Sequence, residues 1–425
     1  MLAQKFENLL DAVFDTWTGS LSAADLFLLS LLSVHVLLTV WVMYNAKQWP
    51  KAASASTASI GELHLHPTTA SIGEPHLHTT TAERATSLPF VSILVPARNE
   101  QRGLERCLVS LLEQDYPCFE VICLDDRSED LTPRILDQLQ QRYPHLQRTY
   151  GAELPSGWIG KCHACHQLSQ SAQGELYLFT DADTVHQANM LRSMVTTLHA
   201  QQAALLTGFP QVLTHHAIGW LILPLLFFVI VLHLPLRYVA TSLNPRLIAA
   251  HGAFMLFRAE AYHAIGGHLA HRQAIVEDME MAKAIKKSKR KAYLVDITPY
   301  VACDMYEKPR DVWQGFSKNM FLGLGASTVL LFGLLGFYTV VYVFPLFGSF
   351  VALSTQRLTA SVILFVCYLL SCLQKFTVDR RFGTRGAWFW FIPFSFIGLI
   401  SIAMRSWYLY VTKQGYTWKG RVYRR

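Results

Sequence analysis

Two kinds of hydrophobic pattern alternate along the chain. Long apolar runs lie at 26–44, 217–236, 322–353, 358–373 and 387–410. From Phe90 onward, short apolar runs of four or five residues alternate with amphipathic stretches. About 20 apolar residues suffice for a membrane helix. The run 26–44 meets that length and is too long and too far from the start for a signal peptide. Asp11, Asp15 and Asp25 precede it, and Lys47 and Lys51 come after it. The positive-inside rule therefore puts the chain beyond this run in the cytosol.

The short runs 91–95, 120–124 and 175–179 read as buried strands. Between them, 103–114, 131–143 and 161–173 read as helices. Pro133 is tolerable in a first turn and Gly174 closes the last of the three. Strands alternating with helices predict an α/β domain with a largely parallel sheet. The run 217–236 falls inside this domain. A full crossing there would strand Asp183 and Asp278 on opposite sides of the bilayer. An interfacial or re-entrant segment, broken by Pro224 and Pro235, is expected instead. A buried core helix is the alternative.

The implied organisation is an N-terminal anchor at 1–50, a linker at 51–88, a catalytic domain at 89–320, a C-terminal membrane region at 321–411 and a basic cytosolic tail at 412–425. The linker holds a tandem repeat, from Thr57 to His66 and again from Thr69 to His78. Its His-x-His pairs lack the cysteines or carboxylates that would complete a metal site, so a duplicated linker is the plainer reading. Lys375, Arg380, Arg381 and Arg385 favour the cytosol, and so does the tail. One crossing by 387–410 cannot satisfy both, so that run either re-enters near Pro393 or leaves the tail outside. A cytosolic tail is expected.

Composition agrees with a membrane protein. Hydrophobic residues make up 52% and charged residues 16% of the 425, against about 25% charged in soluble domains. The net charge of +7 suits an anionic lipid surface. The basic residues are not interleaved with a base-stacking motif, so no nucleic acid partner is implied. Lys283, Lys286, Lys287, Lys289, Arg290 and Lys291 form a basic run that reads as a solvated face or a lipid contact. The eight cysteines are scattered and show no secreted disulfide framework.

In an open α/β sheet, ligands bind beyond the carboxyl ends of the strands. Pro96-Ala97-Arg98-Asn99-Glu100 comes after the first strand, Asp125-Asp126 after the second and Asp181-Ala182-Asp183 after a later one. Clustered carboxylates repel. A hard divalent cation, Mg²⁺ or Mn²⁺, relieves the repulsion and assists a departing diphosphate. Each motif alone is commonly a solvated turn. Their joint placement after successive strands is what carries the reading. Glu277-Asp278 opens a helical run at 279–291, where an anion is stabilised and an ionised Asp can accept a proton from a hydroxyl.

These four acidic elements, in this order, resemble the large inverting GT-A glycosyltransferase family (family 2) that includes cellulose, hyaluronan and ceramide sugar transferases. Gly157-Trp158-Ile159-Gly160-Lys161-Cys162-His163-Ala164-Cys165, Gln314 to Lys318 and Trp418-Lys419-Gly420-Arg421 are similar to the membrane-bound carotenoid glycosyltransferases of the diaponeurosporenoate type. The resemblance implies an α/β GT-A (nucleotide-diphospho-sugar transferase) domain with N- and C-terminal transmembrane helices. It implies that Pro96, Arg98, Glu100, Asp125, Asp126, Lys161, Asp181, Gln314 and Lys318 bind a nucleotide-sugar, taken as UDP-linked. Asp181 and Asp183 would hold the metal, and Asp278 would be the general base. The Gln-x-x-Arg-Trp pattern of polymer-forming synthases is missing, so transfer of one sugar to a membrane-resident, carotenoid-like lipid is expected. A hopanoid or ceramide-like acceptor is the alternative.

Two readings from other classes stand beside this one. Cys162-His163-Ala164-Cys165-His166 fits a haem attachment pattern, which a multi-pass redox or transport protein would use. Haem attachment takes place outside the cytosol, where this segment is not expected. A non-catalytic scaffold would not need the intact acidic set.

Overall fold

The computed structural model describes residues 22–53, 88–304, 306, 308–384, 386–414, 416–419 and 421–423. Most of the linker, with its histidine repeat, lies outside the described residues.

The first apolar run folds as one helix, Ala23–Lys47, opened by a capping box in which Ser22 and Asp25 exchange hydrogen bonds. Beyond it, seven strands build the main sheet: β1 (Val91–Ala97), β2 (Phe119–Asp125), β3 (Leu146–Tyr150), β4 (Leu176–Phe179), β6 (Leu205–Thr207), β8 (Met255–Arg258) and β9 (Ala292–Leu294). Their order across the mixed sheet is β3-β2-β1-β4-β8-β6-β9. β1 pairs in parallel with β2 and β4, whereas β8 runs antiparallel to β4 and β6. A second small sheet joins β5 (Thr184–His186), β10 (Val301–Cys303) and β7 (Gln211–Val212).

Side chains alternate across a strand, and here the two faces meet different partners. Ile93, Val95, Val121, Cys123 and Leu178 pack with Leu104, Leu108 and Met194 under the covering helices. Leu94, Ile122, Tyr177 and Phe179 belong to a core that continues into Val42, Trp49, Phe227, Tyr342 and Phe396 of the apolar helices. The main sheet and the long apolar helices therefore share one hydrophobic core. Trp49 lies at the junction, with its ring centroid 4.6 Å from that of Phe382 and 5.8 Å from that of Phe227.

The run 217–236 breaks as expected. It forms three short helices, Ala217–Ile222, Leu225–His233 and Leu236–Thr241, with Pro224 and Pro235 at the breaks. The second break is held from the N-terminal helix. Buried Asn45 donates to Val231 O at 2.6 Å and Leu234 O at 2.7 Å, and accepts from Leu236 N at 3.0 Å. These are the backbone groups that a helix interruption leaves without partners.

Four described helices are long and apolar enough to cross a membrane: Ala23–Lys47, Thr328–Ser354, Leu358–Arg381 and Trp388–Val411. Inside the bundle, Thr39, Tyr342 and Gln374 are joined by hydrogen bonds, and His35 reaches Val341 O at 2.9 Å. That carbonyl belongs to a π-helical segment, Thr339–Val343. The last helix folds back along Thr328–Ser354. Phe347 faces Phe394, Tyr342 stacks on Phe396 at 4.3 Å, and Phe332 meets Trp407. It starts beyond Arg381, which pairs with Asp296 of the sheet domain at 2.7 Å. It ends before Lys419, which also reaches that domain. All eight cysteines are free.

Candidate active site

β1, β2 and β4 all end at one edge, and the loops beyond them turn sharply there. Asn99 and Arg127 take positive φ, 53° and 58°, a region that Asn tolerates better than most residues. The guanidinium of Arg98 is buried and staples two loops, donating to Asp126 O at 2.6 Å and Arg127 O at 2.8 Å. A cavity of about 340 Å³ opens at this edge. Glu100, Asp126, Asp181, Asp183, Glu277 and Asp278 line it together with Arg98, Lys161, Lys318 and Lys419.

The ion pairs divide the cavity into sides. Lys161 Nζ lies 2.7 Å from Asp181 Oδ1 and 3.1 Å from Glu277 Oε1, joining the two ends of the acidic set. Lys419 Nζ lies 2.9 Å from Glu100 Oε2. Arg421 grips the Asp126 carboxylate with both nitrogens, NH2 at 2.9 Å from Oδ1. Asp278 is held by backbone, with Oδ2 accepting from Gly252 N at 2.9 Å and Oδ1 from Met279 N at 2.7 Å. The Asp181–Asp183 turn is braced underneath, where Thr184 donates to Asp181 O at 2.7 Å.

These surroundings drive the carboxyls apart in proton affinity. Burial alone would raise Asp181, but the Lys161 ammonium outweighs it and holds the carboxyl below its usual range. Asp183 is pushed up to about 7 by burial, then by the charges of Asp181 and Glu100. Asp278 is also pushed up to about 7, by burial and then by Glu277. Burial raises Glu100, with Lys419 offsetting part of the effect. Burial would lower Lys161, but Asp181 and Glu277 hold it well above its usual value. Burial lowers Lys318.

Pro96, Arg98, Glu100, Asp126, Lys161, Asp181, Asp183, Asp278 and Lys318 line one cavity. Two expected residues stand back from it. Asp125 is buried and caps its own turn, accepting from Ser128 N at 3.0 Å, with Arg148 beside it at 3.5 Å. Gln314 is exposed on its helix, while its neighbours Gly315, Lys318 and Asn319 line the cavity. Sequence reasoning gave no role to His251, Gly252, Tyr306 or Asn319, which also line the cavity. Nor did it assign one to Lys419 or Arg421, although both lie in a segment that carries the family resemblance. Cys162 and Cys165 are buried in the helix Gly160–Ser171, and His166 stacks on Trp158 at 5.3 Å. A core-facing helix of this kind explains the Cys-x-x-Cys-His spacing.

The cavity can hold a cation and an anionic ligand side by side. Asp183 is a half-buried oxygen donor that lines the cavity together with the carboxylates of Asp181 and Glu100. Hard divalent cations prefer such oxygen sets, so the residues present fit Mg²⁺ or Mn²⁺. Among the described residues there is no ready-made cluster of three or more His, Cys, Asp or Glu ligands.

Comparison with known proteins gives a family. The model described as Glycosyl transferase family 21 matches residues 52–424. The 4,4'-diaponeurosporenoate glycosyltransferase of Staphylococcus aureus strain bovine RF122 / ET3-1 is 24% identical over 347 residues, spanning 78% of this chain and 88% of that protein. Its counterpart in strain USA300 is 25% identical over 352 residues with the same coverage. Among solved structures, mannosyltransferase PcManGT from Pyrobaculum calidifontis, in complex with GDP-Man and Mn²⁺, is 19% identical. It covers 81% of this chain and 98% of its own, with a TM-score of 0.47. Staphylococcus aureus TarS 1–349 with UDP-GlcNAc is 16% identical at a TM-score of 0.39, covering 79% of this chain and 96% of its own.

Proposed function

The chain belongs to glycosyl transferase family 21, and on that premise we propose that it moves a single sugar from a nucleotide-diphosphate donor to a membrane-resident lipid, with inversion at the anomeric carbon. It is a glycosyltransferase with a GT-A-type α/β unit and long apolar helices at both ends. The donor, its UDP-type nucleotide, the acceptor and the role of each residue are our reading. One observation carries it: acidic residues from separate segments converge on one cavity and are not spread over the surface.

In this reading Glu100 and Asp126 face the nucleoside, while Lys161, Lys318 and Lys419 supply positive charge for the diphosphate. Asp183, with Asp181, would hold Mg²⁺ or Mn²⁺, which supplies Lewis-acid stabilisation of the leaving diphosphate. Asp278 takes the proton from the acceptor hydroxyl as its oxygen forms the new glycosidic bond and the diphosphate departs with the old one. Its two backbone hydrogen bonds fix its direction, and its raised proton affinity suits a base working near neutral pH. The diaponeurosporenoate relatives act, by their names, on a carotenoid acid, which supports an apolar lipid acceptor.

We read the membrane arrangement as three crossings by Ala23–Lys47, Thr328–Ser354 and Leu358–Arg381, with the sheet domain at 89–320 on the cytosolic side. Trp388–Val411 begins and ends on the side of that domain, so it re-enters and leaves the basic tail cytosolic. Lys47, Lys51, Arg380 and Arg381 then share the positive side. The broken segment 217–236 lies at the boundary, where an acceptor would enter.

The test is equilibrium binding of UDP and GDP to the detergent-purified protein, with Mn²⁺ and with a chelator. The reading expects binding that needs the metal and falls at least about tenfold in Asp183→Ala. Equal, metal-independent affinity in both proteins would count against it.

A further inference from the structure

Gly252 lies where three charged side chains converge. It comes after the broken apolar segment 217–236, in the loop that leads into β8. Its N–H donates to Asp278 Oδ2 at 2.9 Å. A Cβ at this position would lie 2.7 Å from Lys161 Nζ, 3.4 Å from Glu277 Oε1 and 3.8 Å from Asp278 Oδ2. The first distance is closer than real Cβ contacts allow, so one partner must move. The partner able to move is the ammonium at the end of the long, flexible Lys161 side chain. The backbone φ of Gly252 is not in the left-handed region, so turn geometry does not explain the glycine. Absence of a side chain does.

We propose that Gly252 is a positioning residue: by lacking a side chain it lets Lys161 bridge Asp181 and Glu277, while its N–H aims Asp278. The inference rests on the functional reading above, because it assigns Lys161 to the donor side and Asp278 to the acceptor side. One backbone atom group thereby ties the two halves of the cavity. Room for the ammonium keeps Asp181 compensated, and the neighbouring N–H keeps the Asp278 carboxylate pointed into the cavity. A methyl group here would displace the Lys161 ammonium, which now lies 2.7 Å from Asp181 and 3.1 Å from Glu277, and so lengthen at least one of the two contacts.

The mechanism makes a distinctive demand on a double-mutant cycle. Gly252→Ala is expected to weaken UDP binding in Mn²⁺ by about tenfold, the size of one lost charge-assisted hydrogen bond. Lys161→Ala is expected to weaken it to a similar degree. In the Lys161→Ala background the clash partner is gone, so adding Gly252→Ala should change the affinity less than about twofold. The detergent-purified full chain serves for every variant, and its thermal midpoint shows whether each one folds. A Gly252→Ala protein with normal affinity, or additive losses in the double variant, would overturn the inference. The functional reading fails separately: if the unaltered protein binds neither UDP nor GDP, that reading falls first. In that case a crystal structure of Gly252→Ala in which Lys161 Nζ still bridges Asp181 and Glu277 at the present distances would refute the contact.

Discussion

Arg421 and Asp126 stand 295 positions apart in the chain, yet the guanidinium of one closes on the carboxylate of the other, NH2 to Oδ1 at 2.9 Å. Lys419, two residues earlier, accepts a hydrogen bond at its carbonyl from Arg98 Nε at 3.0 Å and pairs with Glu100. The strands β11 (Tyr416–Trp418) and β12 (Arg421–Tyr423) form a two-stranded hairpin that these contacts fasten to the cavity mouth. The far end of the chain is part of the pocket wall.

Arg421→Ala removes the partner of a buried carboxylate, Asp126 being only 4% exposed. Breaking such a pair is strongly destabilising locally. The hairpin should then release, and Lys419 should leave the donor side. UDP affinity should fall about tenfold, and the C-terminal segment should become more sensitive to limited proteolysis. Unchanged affinity with an unchanged cleavage pattern would show that the hairpin is only packed there.

Asp278 separates binding from chemistry. Asp278→Asn keeps the size of the side chain but cannot take a proton, so sugar transfer should drop by at least about 10²-fold while nucleotide affinity stays within about twofold. The pH profile has a fixed sign. With its carboxyl pushed up to about 7, the deprotonated base is present above that pH and lost below it. Transfer at saturating donor and metal should therefore rise as pH increases through about 7 and level off above. A rate independent of pH from 5 to 8 would contradict the base assignment.

Part of this site was readable from sequence, and the parts that were not have physical reasons. Asp181 and Asp183 end a short apolar run, and strand-end acids are visible in a linear pattern. Asp125 and Asp126 were equally visible, but adjacent residues at a strand end point to opposite sides. The pattern alone did not say which one enters the cavity. Asp126 lines it, and Asp125 caps the turn behind. β5, β7 and β10 have two or three residues each, too few to show a period of two. The antiparallel β8 comes after an irregular loop with no alternation to announce it. The contact of Arg98 with Lys419 spans 321 positions, beyond anything that local pattern reports.

Asn45 gives a structural prediction away from the chemistry. It satisfies three backbone groups at the Pro235 break. Asn45→Leu leaves them buried without partners, each such group costing roughly 1–3 kcal/mol. The detergent-solubilised protein should show a clearly lowered thermal midpoint, and the segment 225–241 should gain hydrogen exchange. A midpoint equal to that of the unaltered protein would mean that water or lipid replaces Asn45 at no cost.

The membrane reading is checked by single reporter cysteines in a cysteine-free background. A cysteine at Gln356, in the turn between two proposed crossings, should react with an impermeant maleimide on intact cells. One at Lys413, after the re-entrant helix, should react only after permeabilisation. Labelling of both from outside would make Trp388–Val411 a full crossing and separate the tail from the cavity.

The most direct measurement supplies membranes carrying the protein with radiolabelled nucleotide-sugars and Mn²⁺, then tracks label into the organic phase by lipid extraction and mass analysis. The account predicts that at least one nucleotide-sugar labels a lipid by the mass of a single sugar, and that the label disappears in Asp278→Asn and on chelation. Lipid labelling that persists in Asp278→Asn, or a lipid product carrying a growing sugar chain, would contradict it.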